Sequence, residues 1–146
     1  MHAKTTEKIQ SAHISPEKAE LKKDMQLQLV EEIKTAIHQL IYFSDSSPEQ
    51  NISGYISKKV HHNYIFLNRL FSQSTGFTIK RYINTQKIEL IKEILIYDNL
   101  NITVIAGKLN YRNASHLAEE FRKETGVSPA LYRLLRKTRS YKYTNV

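Results

Sequence analysis

Apolar residues recur at steps of three and four along most of the chain, the spacing that places them on one face of an α-helix. The first such stripe predicts a helix that starts at Ser15, with Pro16 at its first helical position. We expect it to pack on the segment that follows, with dimerisation through the same face as the alternative. The stripe comprises Met25, Leu29, Ile33, Ala36, Ile37, Leu40 and Ile41.

The pattern then predicts two segments with the same plan, a short helix, a tight turn and a second helix. Residues 53–60 and 63–74 are the helices of the first segment, and residues 102–109 and 113–124 are those of the second. Asn63 and Asn113 should cap the second helix of each segment, and a left-handed glycine, Gly76 or Gly126, should end it.

These two segments are an internal duplication. The recurring positions fall about fifty residues apart, with a one-residue insertion around Arg112. Such a repeat of helix, turn and helix is the outline of a pair of helix-turn-helix units. Ile56, Lys59, Asn63, Leu67, Phe71, Thr75, Gly76 and Tyr82 recur as Ile105, Lys108, Asn113, Leu117, Phe121, Thr125, Gly126 and Tyr132.

A long periodic segment joins the two units. It begins after Thr78, continues to about Tyr97, and should span about 30 Å, close to the ~34 Å turn of B-form DNA. One apolar face is expected, formed by Ile79, Ile83, Leu90, Ile91, Ile94 and Leu95. A last helix should open at Ser128 and turn Leu131, Tyr132 and Leu135 inward.

The predicted fold is therefore all-α: two helix-turn-helix units on a long central helix, with an extra N-terminal helix. Residues 1–24 are a polar segment, disordered in part or helical, and residues 25–50 hold the N-terminal helix and a turn at residues 45–48. Residues 51–137 form the double unit, and residues 138–146 are a tail that we expect to fray.

Composition excludes several functional classes. The chain has no cysteine, and its six histidines show no metal-ligand spacing, so His61 and His62 are interpreted as turn residues. No catalytic constellation or phosphate-cradling glycine loop is present, so we expect no enzyme, metal or cofactor. Without a signal sequence or a membrane-length apolar run, the protein is expected to be cytoplasmic.

The net charge of +8 is unevenly distributed. Residues 51–146 hold 16 Lys and Arg against 6 Asp and Glu, whereas residues 1–50 hold 6 against 8. The excess lies on the duplicated part, where basic side chains can neutralise phosphates and release counterions. A solvated basic surface with no partner is the alternative.

The duplicated part resembles the AraC/XylS family of bacterial transcription regulators. The resemblance rests on IAGKLNYRNASHLAEEFRKETGVSPALYR at residues 105–133 and YIFLNRLFSQSTGFTIKRYINTQKIELIKEILI at residues 64–96. It covers about residues 51–137 and implies a double helix-turn-helix domain that binds promoter DNA. Double-stranded DNA is the expected partner, and RNA polymerase is a further candidate.

Carried over position by position, the resemblance implies base contacts from Tyr64, Ile65, Asn68, Arg69, Asn113, Ser115 and His116. Arg69 suits guanine, Asn68 adenine and Ile65 a thymine methyl. Position and charge add candidate phosphate contacts at Lys80, Arg81, Arg112, Arg122 and Arg133.

Two departures from the family pattern concern the second unit. Asn110 replaces the family's turn glycine, which Asn tolerates because it accepts a left-handed backbone. Glu119 faces the groove, where a carboxylate repels phosphates and is useful only opposite a cytosine amino group. The second unit is therefore the weaker expected reader. A protein-interaction module and a fragment of a larger sensory regulator stay open as alternatives, and no small-molecule effector site is evident.

Overall fold

The computed structural model describes residues 15–43 and 51–144, with side-chain environments up to Lys137. Every regular element in these ranges is an α-helix, which confirms the all-α prediction. The helices are α1 (Pro16–Phe43), α2 (Ile52–Val60), α3 (Tyr64–Thr75), α4 (Ile79–Tyr97), α5 (Ile102–Lys108), α6 (Ala114–Thr125) and α7 (Pro129–Thr144). The expectations for residues 1–14 and 45–48 lie outside the described ranges.

α1 begins where the sequence predicts, with the Lys18 backbone N–H donating to Ser15 Oγ at 3.2 Å. Its second half packs on the first helix-turn-helix unit, through the predicted stripe and through Val30, which was not predicted. Its first half lies outside the core, as the 61% exposure of Met25 shows. The expectation that Met25 is buried was therefore wrong, and one continuous helix crosses the boundary expected after residue 24.

Each unit has its own hydrophobic core. The first core joins α1, α2, α3 and the start of α4, and the second joins the rest of α4 to α5, α6 and the start of α7. The duplication is visible in both, since Phe71 meets Tyr82 edge-on at 5.2 Å and Phe121 meets Tyr132 edge-on at 5.4 Å. Burial of these apolar faces is what stabilises two otherwise short helix pairs.

α4 contributes to both cores through different faces. Ile79 and Ile83 belong to the first core, and Ile88, Ile91 and Leu95 belong to the second. At 100° per residue the two sets point about 130° apart. The prediction of one apolar face along this helix was therefore wrong, and Ile88 is the buried residue that it missed.

The helix ends follow the local sequence. Asn63, Thr78, Asn101 and Asn113 cap the helices that follow them with their side-chain oxygens, and Gly76 and Gly126 end α3 and α6 in the left-handed conformation, as predicted. The turns of the two units also correspond. His61 (φ 62°) and Asn110 (φ 61°) take the same left-handed position, predicted for Asn110 but not for His61.

One contact between α3 and α4 exists in the first unit only. The buried Ile79 backbone N–H donates to Asn68 Oδ1 at 2.9 Å. Fifty residues later the equivalent positions are Pro129, which has no N–H, and Ala118, which has no acceptor. The first unit therefore needs Asn68 to satisfy a buried donor that the second unit does not have.

α7 is tied to the end of α4 by Arg133. Its Nε donates to the Leu95 carbonyl at 3.1 Å and its Nη2 to the Leu100 carbonyl at 2.6 Å. One prediction for this helix was wrong. Leu131 and Leu135 face outward, 42% and 54% exposed, because Tyr132 and Arg133 occupy the inward face. The helix extends to Thr144.

The Asn68 contact predicts a stability effect. Asn68→Ala leaves the Ile79 N–H without its acceptor and should lower the free energy of unfolding by about 1–3 kcal/mol in urea titrations. Gln73→Ala, on the exposed side of α3, is the control and should change it by less than about 0.5 kcal/mol. Equal stability of the two variants would contradict the assignment.

Candidate nucleic-acid interface

One face of α3 is exposed to solvent, because the side chains on its opposite face are buried in the first core. Leu67 and Phe71 are fully buried, and Asn63 fixes the start of the helix by accepting from the Ile65 N–H at 2.8 Å. Ile65, 70% exposed, and Arg69 therefore point outward one turn apart. Within the described residues Arg69 has no hydrogen bond or ion pair, so its guanidinium is available to a ligand.

Two residues expected on this face are used by the protein itself. Asn68 Oδ1 accepts from the Ile79 N–H, a bond that holds this side chain against the start of α4. Tyr64 is half-buried against the first core, where burial raises the pKa of its hydroxyl. Asn68 therefore has a part in the fold, and Tyr64 lies partly against the first core.

α6 presents the equivalent face in the second unit. Asn113 is exposed and caps the helix by accepting from the His116 N–H at 2.8 Å. His116 is half-buried: its Nδ1 accepts from the Arg112 N–H at 3.2 Å and its ring meets Tyr111 edge-on. Ser115 is exposed. Internal bonds therefore orient both Asn113 and His116.

The two faces differ in charge at one equivalent position. Arg69 of α3 corresponds to Glu119 of α6, and both side chains are exposed. The first face is suited to an electron-rich surface, whereas the second carries a carboxylate. This difference supports the expectation that the second unit is the weaker reader of phosphate-flanked bases.

The candidate phosphate contacts fall into two groups. Lys80, Arg112 and Arg122 are exposed and form no ion pair with any residue that the structure describes, so they remain candidates for phosphate contact. Arg133 is half-buried and holds backbone carbonyls of the α4–α5 connection. These bonds join α7 to the end of α4.

Arg81 links the two units. Its Nη1 donates to Glu124 Oε1 and its Nη2 to Glu124 Oε2 at 3.3 Å, a two-point contact between the start of α4 and the end of α6. The Arg81 side chain is 53% exposed, so the pair is screened by solvent. Glu124 is the more buried partner, with a side chain that is 17% exposed, so a phosphate that draws Arg81 away must offset the lost pairing of this carboxylate.

Sequence reasoning missed Gln73, which is exposed on α3 two turns after Ile65. The signal was present, because a continuation from Ile65 through Arg69 in steps of four reaches residue 73.

No cluster of His, Cys, Asp or Glu in residues 15–43 and 51–144 is placed to hold a metal ion. No helix formed by these residues is long and apolar enough to cross a membrane.

A basic chain with two linked helix-turn-helix units, each exposing one face of its second helix, has the architecture of a double helix-turn-helix DNA-binding protein. Comparison with known proteins agrees. Residues 56–134 match the family model described as a helix-turn-helix domain.

Curated relatives are transcription regulators. Over 67 residues the chain is 33% identical to the HTH-type transcriptional activator RhaR of Cronobacter sakazakii, a match covering 46% of this chain and 24% of that protein. It is 32% identical over 73 residues to the uncharacterized HTH-type transcriptional regulator YobQ of Bacillus subtilis, covering 50% and 30%. The matched segment thus spans less than a third of these relatives.

Solved structures share the fold. The DNA-binding domain of AdpA, in complex with a target DNA, superposes with a TM-score of 0.62 at 23% identity, covering 76% of this chain and 94% of that one. An AraC-type regulator from Chromobacterium violaceum gives 0.67 at 18% identity, covering 77% and 96%.

The chain therefore belongs to the AraC/XylS family of DNA-binding transcriptional regulators, and residues 56–134 form its helix-turn-helix domain.

The Arg81–Glu124 pair predicts a gain in binding when the carboxylate is removed. Glu124→Gln frees Arg81 for phosphate and removes a negative charge, so DNA affinity should rise several-fold at low salt in fluorescence anisotropy. Stability should change by less than about 1 kcal/mol. Glu93→Gln, exposed on α4, is the charge-matched control. Weaker binding by the Glu124 variant would instead mean that the pair holds the units in register.

Proposed function

We propose that this chain regulates transcription by placing α3 and α6 in two successive major grooves of promoter DNA. The observation that carries the proposal is the unbroken α4, whose 19 residues connect two units with equivalent exposed faces. At 1.5 Å per residue this helix is about 28 Å long, comparable to the ~34 Å separation of successive grooves on one side of a duplex.

The first unit is the main reader in this proposal. Arg69 has five N–H donors and suits the two acceptors of guanine, and Ile65 suits the methyl group of thymine. Gln73 lies one turn further along the same face and suits adenine, the base first assigned to Asn68. Tyr64 flanks these side chains at the start of the helix.

The second unit adds position and limited base contact. Ser115 and the outward part of His116 lie at the start of α6, and the amide nitrogen of Asn113 is a donor beside them. Glu119 restricts this unit to sites with a cytosine amino group or to a shallow approach. Lys80, Arg81, Arg112 and Arg122 would hold the phosphates on either side of the reading helices.

The base-reading role of Arg69 is tested by Arg69→Ala. On an operator selected from random duplexes, loss of a two-point guanine contact should weaken specific binding by about 1–3 kcal/mol, with a much smaller loss on unrelated DNA. Lys22→Ala, exposed at the start of α1, is the control and should bind normally.

Wild-type affinity should fall linearly with the logarithm of salt concentration, because bound phosphates release counterions. Binding that is indifferent to salt would contradict DNA recognition. If Arg69→Ala keeps both operator binding and regulation, the protein-interaction alternative is favoured instead.

We further propose that the DNA-bound protein contacts RNA polymerase through α7. Leu131, Leu134 and Leu135 form an outward apolar face, with exposures of 42%, 62% and 54%. The helix sequence PALYRLLRKTRSYKYT contains no acidic residue, so its partner surface should be acidic.

A double variant tests this surface. Leu131→Ser with Leu135→Ser removes exposed apolar area and should leave operator affinity unchanged while lowering transcription from the operator promoter in a purified system with RNA polymerase. Leu21→Ser, an exposed leucine on α1, is the matched control. If the double variant and Leu21→Ser support equal transcription, α7 is not the contact with RNA polymerase.

A further inference from the structure

A cleft of about 550 Å³ opens between the two units. One wall is the first half of α4, which contributes Lys80, Arg81 and Lys87. The opposite wall belongs to the second unit and includes Tyr111 and His116, at the turn and the start of α6. The cleft therefore lies beside a predicted DNA-reading helix and is lined by residues from both units.

Lys87 differs from Lys80 and Arg81 in being less exposed to solvent. It is half-buried, and within the described residues its ammonium has no acidic partner. Its Nζ lies over the ring of Tyr111, 5.3 Å from the ring centroid. Burial lowers the pKa of Lys87. A partly desolvated cation without a counterion costs stability in the free protein.

Tyr111 adds a second unsatisfied group. The residue is 8% exposed, and its hydroxyl is buried without a hydrogen-bond partner among the described residues. Acidic groups are few around the cleft. Glu120 lines it, and Glu124 is engaged by Arg81. The lining thus offers more positive than negative charge, together with a donor that has no acceptor.

We propose that this cleft is a phosphate-binding site in which Lys87 is the central cation and Lys80 and Arg81 are its neighbours. Two kinds of ligand carry such a phosphate group. One is the DNA backbone between the two grooves, which rests on the function proposed above. The other is a free phosphate or phosphomonoester, whose binding between the units would be coupled to their affinity for DNA.

The test replaces Lys87 by Met in the full chain. Because the ammonium is partly desolvated and has no counterion among the residues that the structure describes, Lys87→Met should melt at the same temperature as wild type or higher. In Tris-chloride buffer, the slope of log affinity against log salt should decrease by about one on specific and unrelated DNA alike. Lys92→Met, on the same helix but paired with Glu89 at 2.8 Å, should melt no higher than wild type and keep the slope.

Inorganic phosphate distinguishes the sources. If the site takes a free anion, millimolar phosphate raises the melting temperature of wild type and of Lys87→Arg but not of Lys87→Met, and it weakens DNA binding. If the site takes the backbone, phosphate has no such effect and only the salt slope responds. A Lys87→Met protein that keeps both the wild-type slope and the wild-type phosphate response overturns the proposal, as does a strongly lowered melting temperature.

Failure of the proposed function has a separate signature. It would show as a wild-type protein whose DNA binding does not depend on salt, whereas the phosphate melting experiment tests the cleft without any DNA.

Discussion

α4 is the element on which the arrangement of the molecule depends, because it is part of both hydrophobic cores at once. Ile79 and Ile83 are buried in the first core, and Ile88, Ile91 and Leu95 in the second. Since a helix is rigid at this length, the spacing between Ile83 and Ile88 fixes how far one unit is rotated relative to the other. Adding or removing one residue there would rotate a unit by about 100° and shift it by about 1.5 Å.

The two units show how a duplicated plan diverges under local chemical constraints. Both keep the left-handed turn, the aromatic pair in the core and the glycine that ends the second helix. They differ where a side chain must satisfy the backbone: Ile79 has an N–H and needs Asn68, while Pro129 has none and tolerates Ala118. A polar residue on a recognition helix is therefore not by itself evidence of base contact.

The charged side chains at the junction of the two units balance folding stability against ligand binding. Arg81 is paired with Glu124 across the junction, whereas Lys87 is half-buried there beside an aromatic ring, without a counterion among the described residues. A chain selected only for stability would neutralise or replace such a lysine. Cations that the fold leaves uncompensated are the groups that a phosphate ligand would satisfy.

The sequence alone determined the parts of this protein that depend on local chemistry. Periodicity predicted the helices, caps and glycines predicted their ends, and the duplication predicted two helix-turn-helix units, because each of these signals acts over a few neighbouring residues. Only the tertiary structure decided which face of α4 meets which core, that Leu131 and Leu135 point outward, and that Asn68 and Arg133 bind the backbone instead of facing outward. The Asn68 and Arg133 contacts join residues 11 and 38 positions apart in the chain, and helical periodicity carries no information about such distant contacts.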